Sequence, residues 1–162
     1  KFRNQYKLEF ADLEKLDVSK VDNFMYMFAW CTRLSDLRIS SWKPKPKEMY
    51  QAFYRCGLLK TLDLSGWDTS QIDRVTEMFC NCASLRDVYL DNWDLTNYNG
   101  GTHPKAYEWW AFSGINCRNR DFNIYVRNCN KKTVEAVKRW VDNSQIAGGE
   151  PLNKGRCNII TK

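Results

Sequence analysis

One block of apolar residues returns along this chain every 25 or 26 positions. Its frame is set by Met27-Phe28-Ala29-Trp30-Cys31, Ala52-Phe53-Tyr54-Arg55-Cys56 and Met78-Phe79-Cys80-Asn81-Cys82. Leu34, Leu59 and Leu85 follow in register, then Leu37, Leu62 and Val88, then Ile39, Leu64 and Leu90. Each unit closes on a tryptophan, Trp42, Trp67 or Trp93, and Phe24, Met49 and Val75 precede the phenylalanines at a common distance. A period of this length makes each unit one supersecondary element. Such an element cannot bury its apolar face alone, so neighbouring units must stack to build a core.

The pattern extends to the N-terminus. Leu8, Ala11, Leu13 and Leu16 match Leu59, Leu62, Leu64 and Trp67, which makes the start of the chain a half unit that caps the stack. The middle unit is one residue short around Lys43-Pro44-Lys45-Pro46-Lys47, where two prolines bar regular ladder pairing. Alternation such as Leu62-Asp63-Leu64 predicts a short strand with one buried face. Apolar residues at Ile72, Val75, Met78 and Phe79 predict a short helix, with Asp73 in its first turn. One helix and one strand per unit predict an α/β repeat: a short right-handed solenoid with a parallel sheet along one side.

Leu62-Asp63-Leu64-Ser65, Trp67-Asp68-Thr69-Ser70 and the later Met78-Phe79, Cys82 and Leu85 resemble the BspA-type leucine-rich repeat, which also fills many mycoplasma surface lipoproteins. The resemblance covers about residues 8–96. It implies a leucine-rich-repeat solenoid and a role in surface adhesion or host binding, on the bacterial surface or in a phage-encoded protein. A solenoid by itself fixes no partner.

Cys31, Cys56 and Cys82 occupy one repeat position. If each unit carries a helix there, neighbouring helices stand roughly 8–10 Å apart, beyond the reach of a disulfide. These three thiols are therefore expected to be reduced, buried and packed as small hydrophobes, a structural ladder beside Phe28, Phe53 and Phe79. A disulfide among Cys117, Cys129 and Cys157 stays open, because these lie outside the strict register. A metal site built on Cys80 and Cys82 has unsuitable spacing, and no loop supplies the six or more oxygens that calcium takes, so no metal is expected.

After Trp93 the pattern degrades. Residues 97–105 carry extra Asn, Gly and Pro and read as an exposed loop, with a helix following through Tyr107, Trp110 and Ala111. Ile124-Tyr125-Val126 reads as a further strand and Cys157 to Ile160 as a last one. Residues 130–142 predict an amphipathic helix capped by Asn130, with Val134, Val137, Trp140 and Val141 on one face. The chain thus divides into a solenoid over 1–128 and a capping helix and tail over 129–162.

Strand positions between the buried ones face outward and would form a binding surface. Arg38, Asp63, Tyr89 and Asp91 are the candidates there, with Trp30, Tyr54, Tyr107 and Trp109 as a second aromatic set. Trp42, Trp67 and Trp93 are assigned to core packing at a corner of the unit. The chain has one histidine, His103, and nothing resembling a phosphate loop, a dinucleotide motif or a nucleophile elbow. A non-enzymatic module without cofactor is therefore expected, binding a protein partner. A subunit of a larger assembly such as a virion is the alternative. Nucleic acid is a lesser one, since a net charge of +6 is modest. No apolar run is long enough for a membrane-spanning helix.

Overall fold

The computed structural model describes residues 1–100, 110–146 and 149–162. Short strands recur at the alternating positions: β1 (Phe10–Asp12), β2 (Asp36–Arg38), β3 (Thr61–Asp63), β4 (Asp87–Tyr89), β5 (Phe122–Tyr125) and β6 (Cys157–Ile160). All the strand pairs are parallel. β1 pairs with β2, and β3 to β6 form a second sheet in sequence order. Ala11 lies opposite Leu37, Leu62 opposite Val88, Val88 opposite Ile124, and Ile124 opposite Ile159. Residues at the same repeat position thus form columns whose inward side chains are buried or half-buried, because the strand period of two sends their neighbours outward. Among the described residues no pairing joins β2 to β3. The division falls at the short unit that carries Pro44 and Pro46.

The helix expected in each unit is absent. Segments 24–31, 49–56 and 75–82 are consecutive β-turns. Met27 and Cys31 donate their N–H groups to the carbonyls of Phe24 and Phe28 within the unit, while Phe24, Tyr26, Phe28 and Trp30 donate to Glu48, Tyr50, Ala52 and Tyr54 of the next. The third residue of each turn has positive φ, as in type II turns: Tyr26 and Trp30, Gln51 and Arg55, Glu77 and Asn81. A turn that repeats every four residues puts Phe24 and Phe28 on one face, as a helix does, so apolar spacing does not tell the two apart. The balance tips through hydrogen bonding. A helix of eight residues gains little on its own, whereas the turn ribbon pairs every second N–H with the neighbouring unit.

The ribbon stacks one ring per unit. Phe2, Phe28, Phe53, Phe79 and Phe112 form a column with ring centroids 5.2, 5.6, 5.5 and 5.3 Å apart. The thiols run beside it. Cys31 donates to the carbonyl of Phe2 at 3.1 Å, Cys56 to that of Phe28 at 3.2 Å, and Cys82 to that of Phe53 at 3.0 Å. The three are buried free thiols, as expected, but the reason differs from helix spacing: ribbons bonded backbone to backbone lie closer than packed helices. Burial and the phenylalanine carbonyls occupy them. Trp42, Trp67 and Trp93 are buried at the corner that follows each strand.

The C-terminal part continues this core. Helix α1 (Lys131–Asp142) begins where Asn130 accepts the Thr133 N–H at 2.9 Å, and it buries Thr133, Ala136, Val137, Trp140 and Val141. Trp140 meets Trp93 edge-on at 6.5 Å. Val134 is only half-buried. Trp110 and Ala111, expected in a helix, lie in a turn stacked against the Asn143 carbonyl and the Ser144 hydroxyl. The greater part of the 97–105 loop lies outside the described residues.

Candidate interaction face

The outer surface of β3 to β6 is built by strand alternation. Its two rows run Thr61, Asp87, Asn123, Asn158 and Asp63, Tyr89, Tyr125, Ile160, each residue opposite the next. Parallel pairing in exact register superimposes the two tyrosines. Tyr89 and Tyr125 stack with centroids 4.4 Å apart and planes at 10°. Asn158 donates to Asn123 at 3.0 Å, Asn123 to Asp87 at 2.9 Å, and the Tyr125 hydroxyl to the same Asp87 oxygen at 3.2 Å. Burial, then the charge of Asp87, hold the Tyr125 phenol above its usual range. Asn158, Asn123, Asp87 and the two tyrosines are thereby held in place by one another.

Asp91 and Arg127 close the C-terminal end of this face. The Arg127 guanidinium reaches both Asp91 oxygens, with Nη2 to Oδ2 at 2.6 Å, and its backbone N–H donates to Oδ1 at 2.7 Å. The carboxylate raises the Arg127 pKa further. Asp91, expected to face solvent, is only 6% exposed under this pair. The guanidinium also lies 5.2 Å from the Tyr125 ring centroid.

The other expected site residues fall elsewhere. Arg38 belongs to the two-stranded sheet, where it pairs with Asp12 and Asp36 and covers Phe10. Trp30 and Tyr54 meet on the turn ribbon at 5.6 Å, half-buried, with Arg55 stacked 4.3 Å above Trp30. Their neighbours Tyr26 and Tyr50 carry Arg3 and Arg74 in the same way. These rings are occupied by the chain's own guanidinium groups. Tyr107, Trp109 and His103 lie outside the described residues. Asp63 and Tyr89 are brought together; Arg38 and the Trp30 pair are not. Tyr125 and Arg127 were missed as site residues, although Tyr125 sits 36 residues after Tyr89 in the same strand position.

Among the described residues, no group of three His, Cys, Asp or Glu side chains is placed to hold a metal ion. A cleft of 240 Å³ beside Glu14, Asp17, Ser41 and Lys43 sits at the N-terminal corner, away from the sheet face. Its Glu14 carboxylate is already taken up by hydrogen bonds from Ser40 and Ser41. No described helix is long and apolar enough to cross a membrane.

Neither a curated protein nor a solved structure matches the chain. A family model described as "Mycoplasma protein of unknown function, DUF285" matches residues 1–103, the stretch that contains the regular repeats. The chain belongs to this family, DUF285.

Proposed function

We propose that this chain is a leucine-rich-repeat solenoid that works as a non-catalytic protein-binding module, serving surface adhesion or partner recognition. The carrying observation is the half-buried aromatic pair Tyr89 and Tyr125 on the outer face of the sheet, held by Asp87, Asn123 and Arg127. Tyrosine and arginine are enriched among the few residues that carry most of the binding energy at protein interfaces. Rings fixed beforehand lose little entropy on binding. The BspA-type resemblance of the repeats supports the same reading.

Selection of binders from a random peptide-display library on the immobilised chain tests it, with Tyr89→Ala/Tyr125→Ala as the counter-target. Enriched peptides that bind the parent chain and lose the variant support the reading. Peptides that bind both equally, or no enrichment, overturn it. Retained far-UV circular dichroism shows that the variant still folds.

A subunit role in a larger assembly has one observation in its favour. Tyr6, Phe10 and Leu16 are 52%, 50% and 49% exposed near the edge strand β1, an apolar surface of the kind that assembly covers. Self-association that rises with concentration in sedimentation, and is abolished by Phe10→Ser/Leu16→Ser, would favour it.

A further inference from the structure

The face that carries Tyr89 and Tyr125 differs in charge from the rest of the molecule. Lys and Arg outnumber Asp and Glu by six over the chain, yet β3 to β6 contain Asp63 and Asp87 and no basic residue. Neither carboxylate has an ion-pair partner among the described residues. Asp63 accepts the Ser65 N–H at 2.8 Å, and Asp87 accepts from the neutral Asn123 and Tyr125. Neutral donors fix a carboxylate without cancelling its charge, so Asp63 and Asp87 keep theirs on a basic protein.

The same face already holds one cation. Arg127 sits against the Tyr125 ring at 5.2 Å, with the Tyr89 centroid farther off at 5.9 Å, and is gripped by Asp91. Stacking uses one face of Tyr89 and leaves the other turned along the sheet toward β3, where Asp63 is its register partner. Ring and carboxylate there repeat the elements that hold Arg127. A cation bound at Tyr89 would gain from the ring quadrupole and from a charge that nothing else neutralises.

We propose that the outer face of β3 to β6 binds a basic segment of a partner protein, seating an arginine or lysine side chain between Tyr89 and Asp63 with Asp87 beside it. This inference rests on the protein-binding reading and names the partner's chemistry.

The test titrates a labelled Gly-Arg-Gly-Arg-Gly-Arg peptide, and a glutamate counterpart of equal length, into the intact chain. NMR follows the tyrosine ring signals and anisotropy follows affinity. The arginine peptide is expected to move the Tyr89 and Tyr125 signals, against the repulsion of the net positive chain, and the glutamate peptide to leave them. Asp63→Asn/Asp87→Asn removes both charges while leaving each residue the one acceptor oxygen, Oδ1, that its hydrogen bonds use, and is expected to weaken arginine-peptide binding by about fivefold or more. Equal affinity of the parent and the double variant, or shifts confined to α1 or the turn ribbon, overturns the proposal. If display-selected peptides lose Tyr89→Ala/Tyr125→Ala but bind Asp63→Asn/Asp87→Asn unchanged, the binding face stands and the basic partner falls.

Discussion

Trp93 donates its indole N–H to the carbonyl of Leu64 at 2.9 Å, one unit earlier in the repeat. Trp42 makes the same bond to Leu13 at 2.8 Å. Trp67 occupies the equivalent corner, equally buried, and its indole nitrogen has no hydrogen-bond partner. The equivalent acceptor is the carbonyl of Ile39, which follows β2, and β2 is the strand that does not pair with β3. The gap in the strand layer and the orphaned indole are thus two signs of one break at the short unit. Replacing tryptophan by phenylalanine removes a satisfied donor at Trp93 and an unsatisfied one at Trp67. Trp93→Phe is expected to destabilise more than Trp67→Phe by about 1–2 kcal/mol, read as the difference in urea midpoints. Equal costs would mean that the Trp67 N–H finds an acceptor in solution.

Gly114 takes the ribbon position that Trp30, Arg55 and Asn81 take in earlier units, all at positive φ. A side chain there would drive its Cβ into Asn81 Oδ1 and place it 3.1 Å from Asn81 Cα. Gly114→Ala is expected to cost about 1–3 kcal/mol from the close contact and the backbone conformation together. Asn81→Gly opens that space at a position already left-handed, so Gly114→Ala should cost less in an Asn81→Gly background. Additive costs in this double-mutant cycle would show that contact with Asn81 is not the cause.

The strand columns were legible because strand alternation and repeat register agree at the same residues, as Ala11, Leu37, Leu62 and Val88 show. The ribbon was not, since Phe24 and Phe28 satisfy a four-residue turn period and a helical period equally. The hydrogen bond from Phe28 to Ala52 that separates the two leaves no trace in apolar spacing. Phe2 stands 26 residues before Phe28 in the same register, so the half unit reaches back beyond Leu8 to the first ring of the column. On the outer face of the sheet, the outward placement of Tyr89 and Asp63 follows from alternation alone. The burial of Asp91 depends on Arg127, 36 residues away across an irregular unit, and no local pattern encodes that pair.

The phenylalanine column distinguishes an interior ring from a terminal one. Phe53 is fully buried with a ring stacked on each side, whereas Phe2 is half-buried and stacks only on Phe28. Phe53→Ala is expected to cost about 3–5 kcal/mol, and Phe2→Ala clearly less, by chemical denaturation. Similar losses would show that the N-terminal half unit is as tightly built as the centre of the stack.

Glu14 fastens the first corner to the second. It accepts the Ser41 N–H at 2.7 Å and the Ser40 N–H at 2.9 Å, and these bonds, those of Ser41 foremost, pull its carboxyl down to about 2 against the partial opposition of burial. A carboxyl more acidic in the folded chain than in the unfolded one stabilises fully above the unfolded value of 4.5 and progressively less as pH falls toward 2. Melting temperature should therefore fall across that window, and Glu14→Gln should flatten part of the fall. An unchanged acid limb in the variant would place the acid sensitivity elsewhere.

The thiols give the opposite slope at the other end of the scale. Burial, then the charge of Glu77, push Cys80 up to about 12, and burial raises Cys82 as well. A thiol harder to ionise in the folded chain contributes fully below the unfolded value of 9.0, and the contribution is lost as pH rises from there toward the folded value. Stability should decline above pH 9, and Cys80→Ala should decline less steeply than the parent. Alkylation of the native chain at pH 8 should spare Cys31, Cys56 and Cys82, which are buried under their phenylalanine carbonyls, and reach Cys129 and Cys157 first, since both are half-buried. Rapid native labelling of Cys56 would require the stack to open between the Phe28 and Phe53 units faster than so continuous a core permits.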